Sequence, residues 1–359
     1  MKTVYITSME DFGGKTCLAT SLGRHLQGHG HIVGYMKPLS TRTRQVGGES
    51  TDPDAEFVCQ QLALQDPLAD IIPVTLTPSS FQEALQASPP APFRDRFQAA
   101  YERVAQGKDV LLLEGGRHPF EGASFNLASP QIAQQLDARV LVIARYNDAL
   151  SVDRAAGLRA IYGQQLLGVV FNAVPRMHMR FVQEQARTFL EGAFLEGRAL
   201  PVFGVLPQDR LLLAISVQEL VDHLGGELLC CPEQTGELVE YMMVGAMTAS
   251  GAISYFRRRP NKAVITGGDR PDIQLAALET STRCLILTGN QRPADEVMER
   301  AREVGVPVVL VRHDTLSTVQ AADQIFGKTS LQQPKKCARF FNMLQERFDF
   351  GRLYDMLDI

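Results

Sequence analysis

An α/β fold in two domains, each built on a parallel sheet, is what this sequence predicts, and three observations predict it. Short β-branched runs alternate with amphipathic stretches through the first part of the chain. The first of those runs feeds a Gly-Gly-Lys-Thr turn that opens a helix. Beyond Pro207 a connector leads into a second, shorter alternation of the same kind. A length of 359 residues favours two domains as well.

In chain order, the predicted strands of the first domain begin at residues 4–7, 32–36 and 110–113 and continue at 140–143, 168–171 and 202–205. Each is a continuous apolar run, as strands covered on both faces should be. Between them, Phe93, Phe97, Tyr101 and Val104 recur at helical spacing before a stop at Gly107. Ser88-Pro89-Pro90-Ala91-Pro92 breaks the pattern and reads as a surface loop rather than a domain boundary. Residues 208–216 read as a connector, and 238–256, with Val244-Gly245-Ala246-Met247, as a closely packed helix. Strands then follow at 263–266, 284–288 and 307–311, with helices at 273–279 and 294–304. The tail, 338–357, is amphipathic, with Phe341, Leu344, Phe348, Leu353 and Leu357 on its apolar side. It is expected to dock on either domain or on another subunit. The boundaries expected are 1–212, 213–330 and 331–359.

Composition excludes several classes of function. Hydrophobic residues make up 45% and charged residues 21%, enough apolar mass for sizeable cores. A formal net charge of -4, with no basic stripe, argues against nucleic acid as a partner. No apolar run approaches a membrane span. Met1 to Ile6 enters a strand directly, without a signal-peptide layout, so a cytoplasmic chain is expected. Six cysteines show neither CxxC pairs nor histidines at ligand spacing, which reads as free thiols in a reducing compartment. His29 and His31 flank Gly30 and read as a loop rather than a metal site.

Strand, loop, Gly14-Lys15-Thr16, helix is the context a Walker A reading requires. Gly13 and Gly14 let the backbone approach phosphates, and the helix N-terminus offers unpaired N–H groups. Lys15 would neutralise the β- and γ-phosphates, and Thr16 would offer its hydroxyl to Mg²⁺. Met9 stands where the standard pattern has its first glycine, and Glu10 and Asp11 put carboxylates in the loop. A Gly-Gly turn opening an ordinary helix is the competing reading. Three strand ends shift the balance toward ATP. Asp109 to Gly116 is an apolar run ending in Glu114 and two glycines, Met36-Lys37-Pro38 aims a lysine at the same edge, and Asn172 ends a later strand. Singly, Glu114 is as easily a helix-opening acid and Asn172 a turn former.

With those residues in view, the segment from Val4 to Pro207 resembles the dethiobiotin-synthetase-like P-loop domain at the N-terminus of long bacterial phosphotransacetylases. Tyr5-Ile6-Thr7-Ser8, Gly14-Lys15-Thr16, Gly34-Tyr35-Met36-Lys37-Pro38-Leu39, Leu113-Glu114-Gly115-Gly116, Phe171-Asn172-Ala173-Val174-Pro175 and Gly204-Val205-Leu206-Pro207 carry it. Residues 216–327 resemble the DRTGG domain through Val244-Gly245-Ala246-Met247, Ala263 to Arg270 and Leu285 to Gly289. The fold implied is a P-loop NTPase-like domain followed by a smaller α/β domain. The first resemblance implies Mg²⁺ held by Thr16, Asp54 (with Asp52 the competing choice) and Glu114. It also implies that Lys37 assists a carboxylate or carbamate to meet the γ-phosphate, with Asn172 reading adenine and Pro207 beside it. Arg117-His118-Pro119-Phe120-Glu121-Gly122 does not resemble the synthetase's glycine-rich substrate loop, so biotin synthesis is not expected. Nor is acetyl-phosphate chemistry, because the acetyl-transferring domain is not among the matching segments.

DRTGG domains accompany regulatory modules, which implies adenine-nucleotide sensing or subunit association. Gly267, Gly268, Asp269, Arg270 and Gly289 lie where strands feed helix N-termini, a layout that suits a small anion. Arg270 could grip a phosphate, or pair locally with Asp269 while the glycines serve tight turns. The expectation is therefore an ATP- and Mg²⁺-binding regulatory or switch protein, homo-oligomeric, with an adenine-nucleotide ligand, a protein partner, and neither nucleic acid nor membrane. The alternatives are an ATPase, an ATP-dependent ligase that forms a mixed phosphate anhydride, and a scaffold with a degenerate loop.

Overall fold

Six apolar runs, too hydrophobic to face water on either side, assemble into one parallel sheet whose crossovers are helices. The computed structural model describes residues 1–41, 44–46, 49–86, 92–192, 199–326 and 333–359. It divides into two units, Met1–Gln208 with Leu331–Ile359, and Asp209–Ser330.

In the first unit the strands are β1 (Lys2–Thr7), β2 (Val33–Met36), β3 (Val110–Glu114), β4 (Arg139–Arg145), β5 (Leu166–Val174) and β6 (Val202–Pro207). Their order across the sheet is β6-β5-β4-β1-β3-β2, every pair parallel. The helices include α1 (Lys15–Gly28), α2 (Pro53–Gln61), α3 (Phe93–Ala105) and α4 (Leu150–Tyr162). α1 buries Cys17, Leu18, Ala19, Leu22 and Leu26. β3 flanks β1 on one side and β4 on the other, so the direction of strand addition reverses at β1. A crevice opens outside the carboxyl end of a strand at such a reversal.

The tail forms two helices, Pro334–Arg347 and Phe350–Leu357, that belong to this same unit. The first packs on α1 and both reach β6. Phe348 stacks on Phe203 at 5.5 Å and bridges Gly204, and His25 of α1 stacks on Phe350 at 3.5 Å. Phe340 rather than Phe341 is the fully buried aromatic, while Phe341 lies under the Arg24 guanidinium.

The second unit holds β7 (Glu227–Leu228), β8 (Tyr241–Val244), β9 (Lys262–Gly267), β10 (Thr282–Thr288) and β11 (Val308–Leu310), in the order β7-β11-β10-β9-β8. β7 is an antiparallel edge and the remaining pairs are parallel. α5 (Val217–Leu224), α6 (Ala249–Phe256), α7 (Pro271–Leu278), α8 (Asp295–Val304) and α9 (Thr315–Ile325) complete it. An apolar core lies on each sheet face. Lys262 is fully buried and donates to the Thr280 hydroxyl (2.8 Å) and the Ser281 carbonyl (3.0 Å). Burial pushes its pKa down to about 8.

Two sequence expectations need correcting. Residues 238–256 are not one helix: Leu238–Val239 and β8 are strands, and helix begins only at Ala249. A short apolar run suits a buried strand as well as a buried helix, and pairing with β9 decides it. The connector carries a short helix, Arg210–Leu213, capped by Asp209, and a strand at Ile215–Ser216. The Ser88-to-Ala91 part of the expected breaker lies outside the described residues. Among the described residues no helix is long and apolar enough to cross a membrane. None of the six cysteines is in a disulfide.

Candidate nucleotide site

β1 ends at Thr7, and the chain reaches α1 through a tight loop. The Ser8 hydroxyl donates to the Glu10 carbonyl (2.9 Å) and accepts from the Glu10 N–H (3.3 Å). Gly14 has a φ of 104°, and a Cβ there would stand 2.8 Å from the Asn172 amide nitrogen. Only glycine suits that position. α1 thus presents its unpaired N–H groups and positive dipole end at the loop, with no acidic side chain in its first turn. The Glu10 carboxylate accepts from the Asn147 amide (3.2 Å) and lies 3.9 Å from the Arg154 guanidinium. Its other oxygen is buried without a hydrogen-bond partner among the described residues.

β3, next to β1, delivers Glu114, whose register partner is Ile6. The Thr16 hydroxyl donates to one Glu114 oxygen (2.8 Å) and the Tyr35 hydroxyl to the other (2.9 Å). Glu114 is 1% exposed. Burial raises its pKa above the usual carboxylate range, against the opposing pull of Lys37 and with the Asp54 charge adding to the rise. Lys37 follows β2 and is also buried, with Nζ 2.8 Å from Asp52 Oδ2 and 3.5 Å from Asp54 Oδ2. Its burial favours the neutral amine, but Glu114, Asp52 and Asp54 together outweigh that and raise its pKa. Lys15 shifts the other way, lowered by burial and by the Lys37 charge against the pull of Glu114.

The structure separates the two competing aspartates. Asp52 is fully buried, and its Oδ1 accepts from the N–H groups of Asp54 (2.9 Å) and Ala55 (3.1 Å), capping α2. Its Oδ2 takes Lys37 and the Ser40 hydroxyl. Asp54 keeps 21% side-chain exposure. At the other side of the loop, the Asn172 amide donates to the Gly13 carbonyl (2.9 Å), and its oxygen accepts from the Ala173 N–H (2.8 Å). Pro207 sits beside Val174 on the adjacent strand end.

Lys15, Thr16, Lys37, Asp54 and Glu114 therefore converge with Asp52 in one charged cluster, while Gly13, Gly14 and Asn172 shape the loop. Sequence reasoning missed Tyr35, Ser40, Asn147 and Arg154. Tyr35 had a signal, since it precedes Lys37 by two residues and alternation along a strand puts both on one face. Asp52-Pro53 had another, the pattern of an N-cap followed by proline at N1. The Arg117–Gly122 loop is tied by Glu121, which accepts from the Arg117 N–H (2.7 Å) and the Thr41 hydroxyl (2.9 Å).

The donors around Thr16 are all oxygen, a hydroxyl and carboxylates, which suits a hard divalent cation. Among the described residues no group of three His, Cys, Asp or Glu could cage a metal by protein alone. Mg²⁺ takes one or two protein oxygens and keeps waters and phosphate oxygens for the rest. Glu114→Gln is expected to weaken Mg²⁺-dependent nucleotide binding by about 100-fold without lowering folding stability at neutral pH. A carboxyl with a raised folded pKa costs stability above that pKa, and the cost disappears as pH falls below its unfolded value. Urea midpoints should therefore show wild type gaining on the variant as the solution is acidified, and the opposite trend would refute this account.

In the second unit, Gly267 and Gly268 are packed by their own chain. A Cβ on Gly268 would stand 1.9 Å from the Gln291 carbonyl oxygen. The Gln274 amide donates to the carbonyls of Gly267 (2.8 Å) and Gly268 (3.1 Å). Arg270 pairs in a two-pronged fashion with Asp272, at 3.0 Å on both prongs, and donates to the Met247 carbonyl. Asp269 is not its partner, because the guanidinium turns toward the first turn of α7. Gly289, with φ at 76°, faces open space.

A family model described as "AAA domain" matches residues 2–216, and one described as "DRTGG domain" matches residues 219–325. The phosphate acetyltransferase of Nitratidesulfovibrio vulgaris is 22% identical over 98% of this chain and 51% of its own length. The ATP-dependent dethiobiotin synthetase BioD of Methanococcus vannielii is 24% identical over 48% of this chain and 79% of its own length. The chain spans about half the length of that acetyltransferase. Among solved structures, the CBS and DRTGG domains of the regulatory region of Clostridium perfringens pyrophosphatase, complexed with the activator diadenosine tetraphosphate, match at 25% identity. That match covers 34% of this chain and 53% of the other with a TM-score of 0.29.

Proposed function

Since this chain belongs to the AAA domain family, with a dethiobiotin-synthetase-like P-loop domain followed by a DRTGG domain, we propose that it is an ATP- and Mg²⁺-binding regulatory protein. The observation that carries this reading is the Thr16–Glu114 hydrogen bond beside the mouth of α1, backed by Lys37 and its two aspartates. Lys15 and the α1 N–H groups would take the phosphates, with Asn172 and Pro207 near the base. Thr16, Glu114 and Asp54 would hold Mg²⁺, which supplies charge neutralisation between phosphate oxygens. In this reading the DRTGG unit senses an adenine nucleotide or joins subunits into a homo-oligomer.

A ligase is the second reading, favoured by Lys37 standing among carboxylates at the edge where a γ-phosphate would lie. The Arg117–Gly122 loop, which does not resemble the synthetase's glycine-rich substrate loop, weighs against it. Calorimetric titration of ATP with Mg²⁺ tests the shared premise. Lys15→Ala is expected to bind about 100-fold more weakly than wild type, a difference of about 2.8 kcal/mol. A wild type that binds no ATP overturns both readings. Phosphate release accelerated by a carboxylate, bicarbonate or amine would select the ligase, and a nucleotide-dependent change in sedimentation would select the regulator.

A further inference from the structure

Beside the packed Gly267–Arg270 turn, one strand pair further across the second sheet, the structure holds a cavity of about 690 Å³. Gly225, Gly226, Glu227, Asn290, Arg292 and Arg312 line it, with Leu310 as its apolar wall. It sits where β10 and β11 end, the edge at which open α/β sheets take ligands. β7 runs antiparallel to β11, so Glu227 pairs with Leu310 and arrives at the same edge.

We propose that this cavity binds a diphosphate-bearing ligand through Arg312 and Arg292. Arg312 is exposed and makes no ion pair among the described residues. Its backbone is held on both sides, because Asn290 N–H donates to the Val311 carbonyl (3.0 Å) and Gly289 N–H to the His313 carbonyl (2.9 Å). Arg292 is paired with Glu227 at 2.7 Å, and both side chains are well exposed. An exposed pair of that kind contributes little, so a phosphate can replace the carboxylate at small cost. Two guanidinium forks match the oxygens of two linked phosphates. A Cβ on Gly225 would meet nothing within 4 Å, so its backbone leaves that wall open to close approach. The volume lies within the range of small-molecule sites and exceeds what one phosphate fills. The lining is polar apart from Leu310, which does not suit an apolar ligand.

The site stands on these observations alone, and the ADP arm of the test decides whether it is also where this unit senses a nucleotide. The test uses the full chain carrying Lys15→Ala, which weakens the first unit's phosphate loop, titrated with inorganic diphosphate and with ADP. Diphosphate is expected to bind this background. Adding Arg312→Ala or Arg292→Ala should weaken it about 10-fold each, while Glu227→Gln should tighten it about 3-fold by freeing Arg292. Both arginines are on the surface, and unchanged thermal midpoints will show that the variants fold. Tighter ADP than diphosphate binding, lost with Arg312→Ala, marks the ligand as a nucleotide. Equal or weaker ADP binding marks it as diphosphate itself. No diphosphate binding, or affinity indifferent to both arginine variants, overturns the proposal. Neither result depends on whether wild type binds ATP through Lys15.

Discussion

Lys37→Met is expected to destabilise the first unit by about 3–5 kcal/mol, the range for removing one partner of a buried ion pair. Methionine keeps the length of the side chain and removes its charge. Asp52, fully buried, would then hold a carboxylate against Ser40 and two backbone N–H groups without its Lys37 partner. The coulombic pull of Glu114, Asp52 and Asp54 raises the Lys37 pKa above its unfolded value, although burial opposes it. A raised lysine contributes stability that is complete below its unfolded pKa and is lost only as pH rises through the folded one. The contribution is therefore whole at neutral pH. Guanidinium unfolding at pH 7 measures it, and Asp52→Asn on the Lys37→Met background should restore a good part of the loss. A change below about 1 kcal/mol would mean that water reaches the cluster and screens it.

Gly268→Ala should cost the second unit about 3 kcal/mol or more, at the upper end of overpacking effects. The added methyl would meet the Gln291 carbonyl oxygen at 1.9 Å, and that atom is backbone, which cannot swing away. Parting the exits of β9 and β10 would break the Gly268 N–H bond to Thr288 (3.3 Å) and strain both Gln274 bonds. Gly289→Ala is the contrast. Its φ of 76° imposes strain, but nothing crowds the new methyl, so a cost of about 1 kcal/mol is expected. Hydrogen exchange in β9 and β10 reads both variants. Equal protection in the two would show that backbone conformation, not crowding, sets the requirement for glycine.

Much of the first unit was legible because its signals are local. A buried parallel strand is an apolar run, and each of the six expected runs falls within a strand of the sheet, save Ile32 at one edge. Gly14-Lys15-Thr16 announced a helix start, and Glu114 announced a strand end. The edge strand β7 went unseen, since two residues carry no periodicity. β8 was read as helix because Tyr-Met-Met-Val has no alternation to exclude one. The pairing of Arg270 with Asp272 was missed because Asp269 is the acid adjacent in sequence, while the guanidinium bonds Asp272.

By itself the sequence determined that a Gly-Gly-Lys-Thr turn would join a buried strand to a helix, and that strand ends would bring Lys37, Glu114 and Asn172 to one edge. Only the tertiary structure decided how those groups divide their partners. Asp52 is capped, buried and bound to Lys37, Glu114 is held by Thr16 and Tyr35, and Asn172 is tied to the loop's own carbonyl. It alone decided that the tail helices return to α1, and that the crowded turn at Gly268 leaves its open cavity beside Arg312. The physical reason is range. Periodicity and turn chemistry act over a few residues, whereas burial and charge pairing depend on residues brought together from distant parts of the chain.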